Sequence, residues 1–331
     1  MLLSVCFLLI AAGAAVIYTP ASFDAHPAEQ LFTIKRGTSV RKIAADLKEA
    51  GLVRFDYPTY LYFRLLNKPV KAGTYKLSPS LSLYALYAYL QTGKQELIKV
   101  TLPEGLTISK TAAILEERQI IAADAFLAAA ENTTLLQSYG ITGTSAEGFL
   151  FPDTYFFTPS MASSSVIDMM VKNFFEHIRA NPTLASLPPD ELQTTLVLAS
   201  IVEREYRVAD EAPLIASVFK NRIAKNIGLY SCATIEYIIT EIQGKAHPDV
   251  ITYDDLKIDN PYNTYKWAGL PPTPISNPGM IALEAAADTP KTNYYYFRLK
   301  DEETGRHAFS EHFDEHIQEG VRYKTKKAAE S

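Results

Sequence analysis

"PPDELQTTLVLASIVEREY", residues 188–206, decides how the second half of this chain must fold. Glu191 falls in a first turn opened by Asp190, and no helix breaker follows before Tyr206, so the spacing predicts a helix capped by Asp190. Residues 196–202 are apolar or small around the whole circumference. Such a helix is enclosed by other elements rather than laid on a surface. It then ends in Glu203, Arg204 and Glu205, which sets two carboxyls and a guanidinium at the rim of a core. At helical spacing Glu203 shares a face with Leu192, Leu196, Ala199 and Ser200, whereas Glu205 follows Thr194, Leu198, Ile201 and Val202. The small Ala199 and Ser200 leave room beside Glu203 and favour it as the carboxyl that faces a cavity. Apolar surroundings disfavour the charged form of a carboxyl, so its pKa rises and it can hold a proton near neutral pH, as a general acid must. The competing account is an ion pair at the helix end, with Arg204 or a distant base neutralising both glutamates.

Downstream, "VADEAPLIASVFKNRIAKNIG" (208–228) predicts a helix with Asp210 as cap, Pro213 in the first turn and Gly228 as stop. Residues 231–279 are turn-rich, "NYYYFRLK" (293–300) has the aromatic content of a strand, and "EHFDEHIQEGVRY" (311–323) closes the chain as a helix. Upstream, residues 107–195 are mainly helical, interrupted by "TGTSAEGFLFPDTYFFTPS" (142–160). Five aromatic rings around Glu147 and Asp153 make that break a packed loop or short strand of the kind that carries binding residues. "LIKVTLPEGLT" (97–107) is strand-like and hinges this large unit to a smaller one. In the smaller unit a strand from Leu31, a helix capped by Thr38 or Ser39 and stopped by Gly51, a helix over Tyr57–Leu66, a strand over Gly73–Leu77 and a helix ending at Gly93 make an α+β module.

The N-terminus "MLLSVCFLLIAAGAAVIY" (1–18) bears no charged side chain, and at ~1.5 Å per residue it reaches about 27 Å. It is expected to be a membrane anchor, with a cleaved signal peptide as the rival, and "PASFDAHPAEQ" (20–30) is a tether. The expected division is therefore 1–18 anchor or signal, 19–30 tether, 31–96 small unit and 97–331 large unit, an α+β protein overall. With 32 Lys and Arg against 37 Asp and Glu the net charge is -5. No basic stripe is available to neutralise phosphates, which argues against nucleic acid as a partner. Cys6 and Cys232 imply no disulfide framework.

In order along the chain, "LPEGLT", "EGFLFPDTY", "LASIVERE", "VFKNRI", "NPYNTY", "GLPPTPISNPG" and "YYYF" closely resemble the YceG-like family of endolytic murein lytic transglycosylases. The resemblance runs from about Leu31 to His316. It implies an N-terminal membrane helix, a LysM-like small unit and a mixed α/β catalytic domain. The implied activity cuts the β-1,4 bond between N-acetylmuramic acid and N-acetylglucosamine within glycan strands and leaves a 1,6-anhydro end. Glu203 matches the catalytic glutamate. Glu147, Phe149 and Asp153 would line the cleft, and Asn263 and Tyr265 would orient the saccharide. Ser231 and Thr234 are further cleft candidates. They lie in "YSCATIEY" (230–237), where the family typically has "QSDPT", so Cys232 and Ala233 replace an acidic residue and a proline. The resemblance implies no cofactor and no metal, peptidoglycan synthases as neighbours, and a single-pass place in the cytoplasmic membrane with the catalytic domain outside. "RHAFSEHFDEH" (306–316) lacks the order of a zinc protease, so it is expected to be a solvated, charge-laced helix. Two other activities stay open at this point: a non-catalytic glycan-binding scaffold, and a two-carboxylate hydrolase pairing Glu203 with Glu147.

Overall fold

The computed structural model describes residues 2–24, 28–35, 37–159 and 161–320. Two compact units emerge, one of Met1–Lys99 with Phe156–Met161, the other of Val100–Tyr155 with Ala162–Ser331.

The first unit holds α1 (Leu2–Tyr18), β1 (Gln30–Ile34), α2 (Val40–Glu49), α3 (Asp56–Leu66), β2 (Gly73–Leu77) and α4 (Leu83–Thr92). β1 and β2 pair antiparallel, with Phe32 opposite Tyr75. Ser39 caps α2 by accepting the Lys42 N–H, and Gly51 follows in the left-handed region at φ +68°. Ile43, Ala44 and Leu47 turn the buried face of α2 onto Phe32, Ile34, Phe63, Tyr75 and Leu86. Each of the larger side chains contributes roughly 1.5–3 kcal/mol by leaving water. α1 is uncharged, and it leaves Val5, Phe7 and Leu8 exposed. No helix among the described residues is long and apolar enough to cross a membrane, so α1 does not by itself bear out the membrane helix expected over residues 1–18.

The remaining elements are β3 (Ile98–Leu102), α5 (Ile108–Glu117), α6 (Ala123–Ala130), α7 (Thr133–Ser138), β4 (Asp153–Phe157), α8 (Ser163–Ala180), α9 (Pro182–Ala185), α10 (Pro189–Glu205), α11 (Ala212–Ala224), α12 (Cys232–Tyr237), α13 (Met280–Ala287), β5 (Tyr296–Leu299) and β6 (His307–Ser310). β3 pairs with β4, and β5 pairs antiparallel with β6. α10 is the enclosed helix expected: Leu196 to Val202 are all buried, and it packs on α11 and α13. Its start is set by Pro188 and Pro189 rather than by an Asp190 cap, because proline already supplies the helical φ and has no N–H to satisfy. Asp210 likewise caps nothing; its carboxylate takes Arg306 at 2.9 Å, and a short 3-10 turn precedes α11.

Two expectations for the C-terminal region change. The turn-rich stretch contains α12, which runs on into a π-helical turn over Ile238–Ile242. "RHAFSEHFDEH" is split between β6 and a helix over 313–320. His307 is buried and its Nδ1 lies 2.9 Å from the Glu211 carboxylate, so this segment is not simply a solvated helix. Residues 321–323 of the expected last helix lie outside the described residues.

Candidate active site

Chain segments far apart in sequence meet at the end of α10. Ser200 is fully buried, and its hydroxyl accepts the Ile275 N–H at 3.0 Å while its carbonyl accepts the Ser276 hydroxyl at 2.9 Å. One turn on, Glu203 Oε2 accepts the Gly279 N–H at 2.9 Å. The space left by the small residues is therefore filled by the 275–279 loop and not by a cavity. Asn277 ties that loop to two more segments. Its Oδ1 accepts the N–H groups of Gly148 (2.9 Å) and Leu150 (3.0 Å), and its Nδ2 donates to Leu106 O (2.9 Å) and Glu147 Oε1 (3.0 Å). Gly148, at φ +89°, is wedged so that a Cβ would stand 2.6 Å from Pro274 and 3.2 Å from Leu196. Only glycine fits there. Gly105 donates its N–H to Asn277 O, and a Cβ on it would lie 3.5 Å from the Glu203 side chain. "LPEGLT", "EGFLF", "LASIVERE" and "PISNPG" thus form one junction with Glu203 in it.

Arg204 turns away from that junction to pair with Glu236 at 2.7 Å. The helix-end ion pair that would have neutralised both glutamates does not form. Burial pushes the Glu203 carboxyl above its ordinary pKa, against the Gly279 N–H and the neighbouring Tyr206 hydroxyl, and Glu104 pushes it further up. Glu104 is exposed and was not singled out from sequence; its position in the "LPEGLT" turn, beside Gly279, is what brings it near.

Two of the expected cleft residues in "EGFLFPDTY" face inward. Glu147 is 5% exposed and accepts the Ile108 N–H at 3.1 Å as well as Asn277, with its pKa pushed to about 8 mainly by burial. It braces the start of α5 through one oxygen and holds Asn277 with the other. Phe149 packs edge-on against Phe174, ring centroids 5.3 Å apart. Asp153 is exposed at the start of β4 and accepts the Asn173 amide at 2.9 Å.

The other expected residues gather around Glu205. Ser231 Oγ donates to Glu205 Oε1 at 2.5 Å, and Thr234, fully buried, donates to Ser231 O at 2.8 Å. Asn263 is also fully buried; its amide donates to Leu256 O and Ile258 O while its oxygen accepts the Tyr265 N–H, so it shapes the loop. Tyr265 does reach open space. It joins Glu205, Arg222, Tyr230, Cys232 and Tyr296 on the wall of a cavity of about 720 Å³. Glu205, whose carboxyl is enclosed, has its pKa raised to about 7, chiefly by burial, with Ser231 and the nearby arginines opposing. The helix-face argument had given the cavity to Glu203, but this cavity opens at Glu205. Cys232 Sγ lies 3.1 Å from the Tyr265 hydroxyl, and burial pushes its thiol pKa up, the wrong direction for a nucleophile.

This is a two-unit α+β protein whose central helix ends in two glutamates with raised pKa values, one in a knot of loops and one on a cavity wall. The chain belongs to the YceG-like family, whose model matches residues 32–321. Among curated relatives, an endolytic murein transglycosylase of Streptococcus pneumoniae (strain D39) is 30% identical over 316 residues, covering 86% of this chain and 56% of the relative. The chain therefore spans little more than half the length of that protein. One of the same name from Bacillus subtilis is 30% identical over 307 residues, covering 88% of this chain and 83% of the relative. The crystal structure of a YceG-like protein from Listeria monocytogenes superposes with a TM-score of 0.59 at 29% identity, covering 88% of this chain and 99% of that one.

Proposed function

We propose that this protein is a lytic transglycosylase acting within peptidoglycan glycan strands, with Glu203 as its acid and base. One observation carries the assignment: among the described residues Glu203 stands in no ion pair, and burial raises its pKa at the junction of four segments. Protonated, Glu203 gives its proton to the glycosidic oxygen as positive charge develops at the muramic acid anomeric carbon. The carboxylate left behind takes the proton of that sugar's 6-hydroxyl as its oxygen closes on the anomeric carbon. The glycosidic bond is broken, an anhydro bond is made, and no water is consumed. Tyr265 and Tyr230, whose rings lie 5.5 Å apart, offer apolar faces for sugar rings. The relatives' shared name supports the substrate class.

A second assignment has its own support, since Glu205 rather than Glu203 lies on the 720 Å³ cavity wall and is the better enclosed carboxyl. Digestion of peptidoglycan by the wild type, Glu203→Gln and Glu205→Gln separates the two. Anhydro-ended products abolished by Glu203→Gln but not by Glu205→Gln support the first assignment. The reverse moves the acid to Glu205, and reducing ends in place of anhydro ends overturn the transglycosylase. Attachment to the cytoplasmic membrane, with the large unit on the extracytoplasmic side, is supported by the uncharged, exposed α1. Peptidoglycan synthases are the partners expected if the enzyme terminates nascent strands.

A further inference from the structure

Three buried side-chain polar atoms find no hydrogen-bond partner among the described residues, and two of them, Arg298 Nε and His316 Nδ1, belong to residues that line the cavity at Glu205. Buried polar atoms are almost always satisfied, so two orphans in residues of one wall leave hydrogen-bonding capacity unused beside the cavity. The charges point the same way. Among the described residues the Arg298 guanidinium donates from Nη1 to His316 O at 3.2 Å. Arg222 donates Nε to Tyr295 O and Nη1 to Leu229 O, and sits 5.5 Å from the ring centroids of both Tyr230 and Tyr296. Neither arginine is in an ion pair among the described residues. Glu205 is the one acidic side chain on the wall, and it already accepts the Ser231 hydroxyl. Glu205 acts electrostatically on Arg222, but the same wall also carries Arg298, and a surplus of guanidinium over carboxyl groups favours an anion there. The Tyr296 ring, 5.4 Å from that of His316, links the two arginines into one patch.

We infer that Arg298, His316 and Arg222 form a seat for a carboxylate, and that in the substrate this carboxylate belongs to the peptide substituent carried by the glycan strand. The assignment of the substituent rests on the transglycosylase function proposed above. In a peptide-bearing strand the lactyl carboxyl of each muramic acid is taken up in its amide to the peptide, so the anionic groups lie on the peptides; in a strand stripped of peptide that carboxyl is free. The geometry suits a planar oxyanion, since a guanidinium fork and a ring N–H can each donate to it. Burial and the two arginines lower the His316 pKa, and in the tautomer that carries its proton on Nδ1 the ring can donate from that atom.

The test uses the full chain and three glycan-strand substrates of equal length: one with free peptide carboxylates, one with those carboxylates amidated, and one stripped of peptide. A charge-assisted contact of this kind corresponds to a preference of about tenfold or more in kcat/KM for the free over the amidated substrate. In Arg298→Gln and His316→Gln, checked for an unchanged melting temperature, the ratio between the two substrates is expected to fall toward one. Equal cleavage of both substrates by the wild type overturns the seat, and so does a ratio that the variants leave intact. Cleavage of none of the three would instead overturn the transglycosylase assignment. Direct titration of the full chain separates the oxyanion sources: binding of the free acidic peptide, weakened in Arg298→Gln, is the expected result. Binding of inorganic phosphate with none of the peptide overturns the assignment to the substituent.

Discussion

Asn277→Ala removes the side chain that joins three segments around Glu203. The Leu106 carbonyl keeps a partner, because the Asn277 backbone N–H also reaches it at 2.8 Å. The N–H groups of Gly148 and Leu150 and the Oε1 atom of Glu147 lose theirs, all in a buried setting. Each orphaned group costs about 1–3 kcal/mol, and with partial relaxation the sum is roughly 4 kcal/mol. For a unit of this size that corresponds to a fall of about 10 °C in the melting temperature of the unit built on α10. Urea denaturation followed by circular dichroism, beside calorimetry, measures it. Asn277→Asp is the sharper companion. It keeps the acceptor for both N–H groups but sets an oxygen against Glu147 Oε1, where the amide now stands at 3.0 Å. Because Glu147 holds its proton up to about pH 8, it can donate to the new carboxylate at pH 6, and the loss should widen as pH passes 8. A loss under about 1 kcal/mol for Asn277→Ala would refute the claim that this side chain holds the junction.

Gly148→Ala must move Pro274 and hold a side chain at φ +89°, so a loss of about 2–3 kcal/mol is expected in the same denaturation assay. Glu205 has a folded pKa of about 7, above the ordinary 4.5, so the folded state binds the extra proton between these values and stability drains away as pH rises across that window. Glu205→Gln should flatten the stability profile from pH 4.5 to 7 and be more stable than wild type at pH 8; parallel profiles for the two proteins would contradict this. The Cys232 thiol, pushed up by burial, should alkylate with iodoacetamide more slowly at pH 8 than a free cysteine, as read by peptide mass mapping.

The small unit was legible because its signals are local. Ser39, Gly51 and Gly93 mark helix ends through backbone rules that need no distant partner. The enclosure of α10 was legible for a related reason, since an all-round apolar sequence has one outcome in water. What surrounds its end was not. The face carrying Ala199 and Ser200 correctly signalled free space, but spacing within one helix could not say that a loop 75 residues onward would fill it. Glu147 and Asn263 are polar residues in aromatic, turn-rich stretches, a pattern shared by ligand contacts and by buried braces. Only the count of backbone groups left to satisfy separates the two, and that count exists only in three dimensions. Asn277 lay inside "GLPPTPISNPG", where the prolines suggested rigidity and drew attention from the amide. Arg298 carried no sequence signal beyond its charge, and His316 lay in "RHAFSEHFDEH", a stretch whose polar residues suggest a solvated helix.

The bond from Asn277 to Leu106 closes a separation of 171 positions. Until a growing polypeptide has emerged past that asparagine, the glutamate at the end of α10 has neither its loop nor its Gly279 amide, so ribosome-bound or truncated chains would lack the assembled junction. A junction that closes so late, from contacts so distant along the chain, comes at the expense of slow folding.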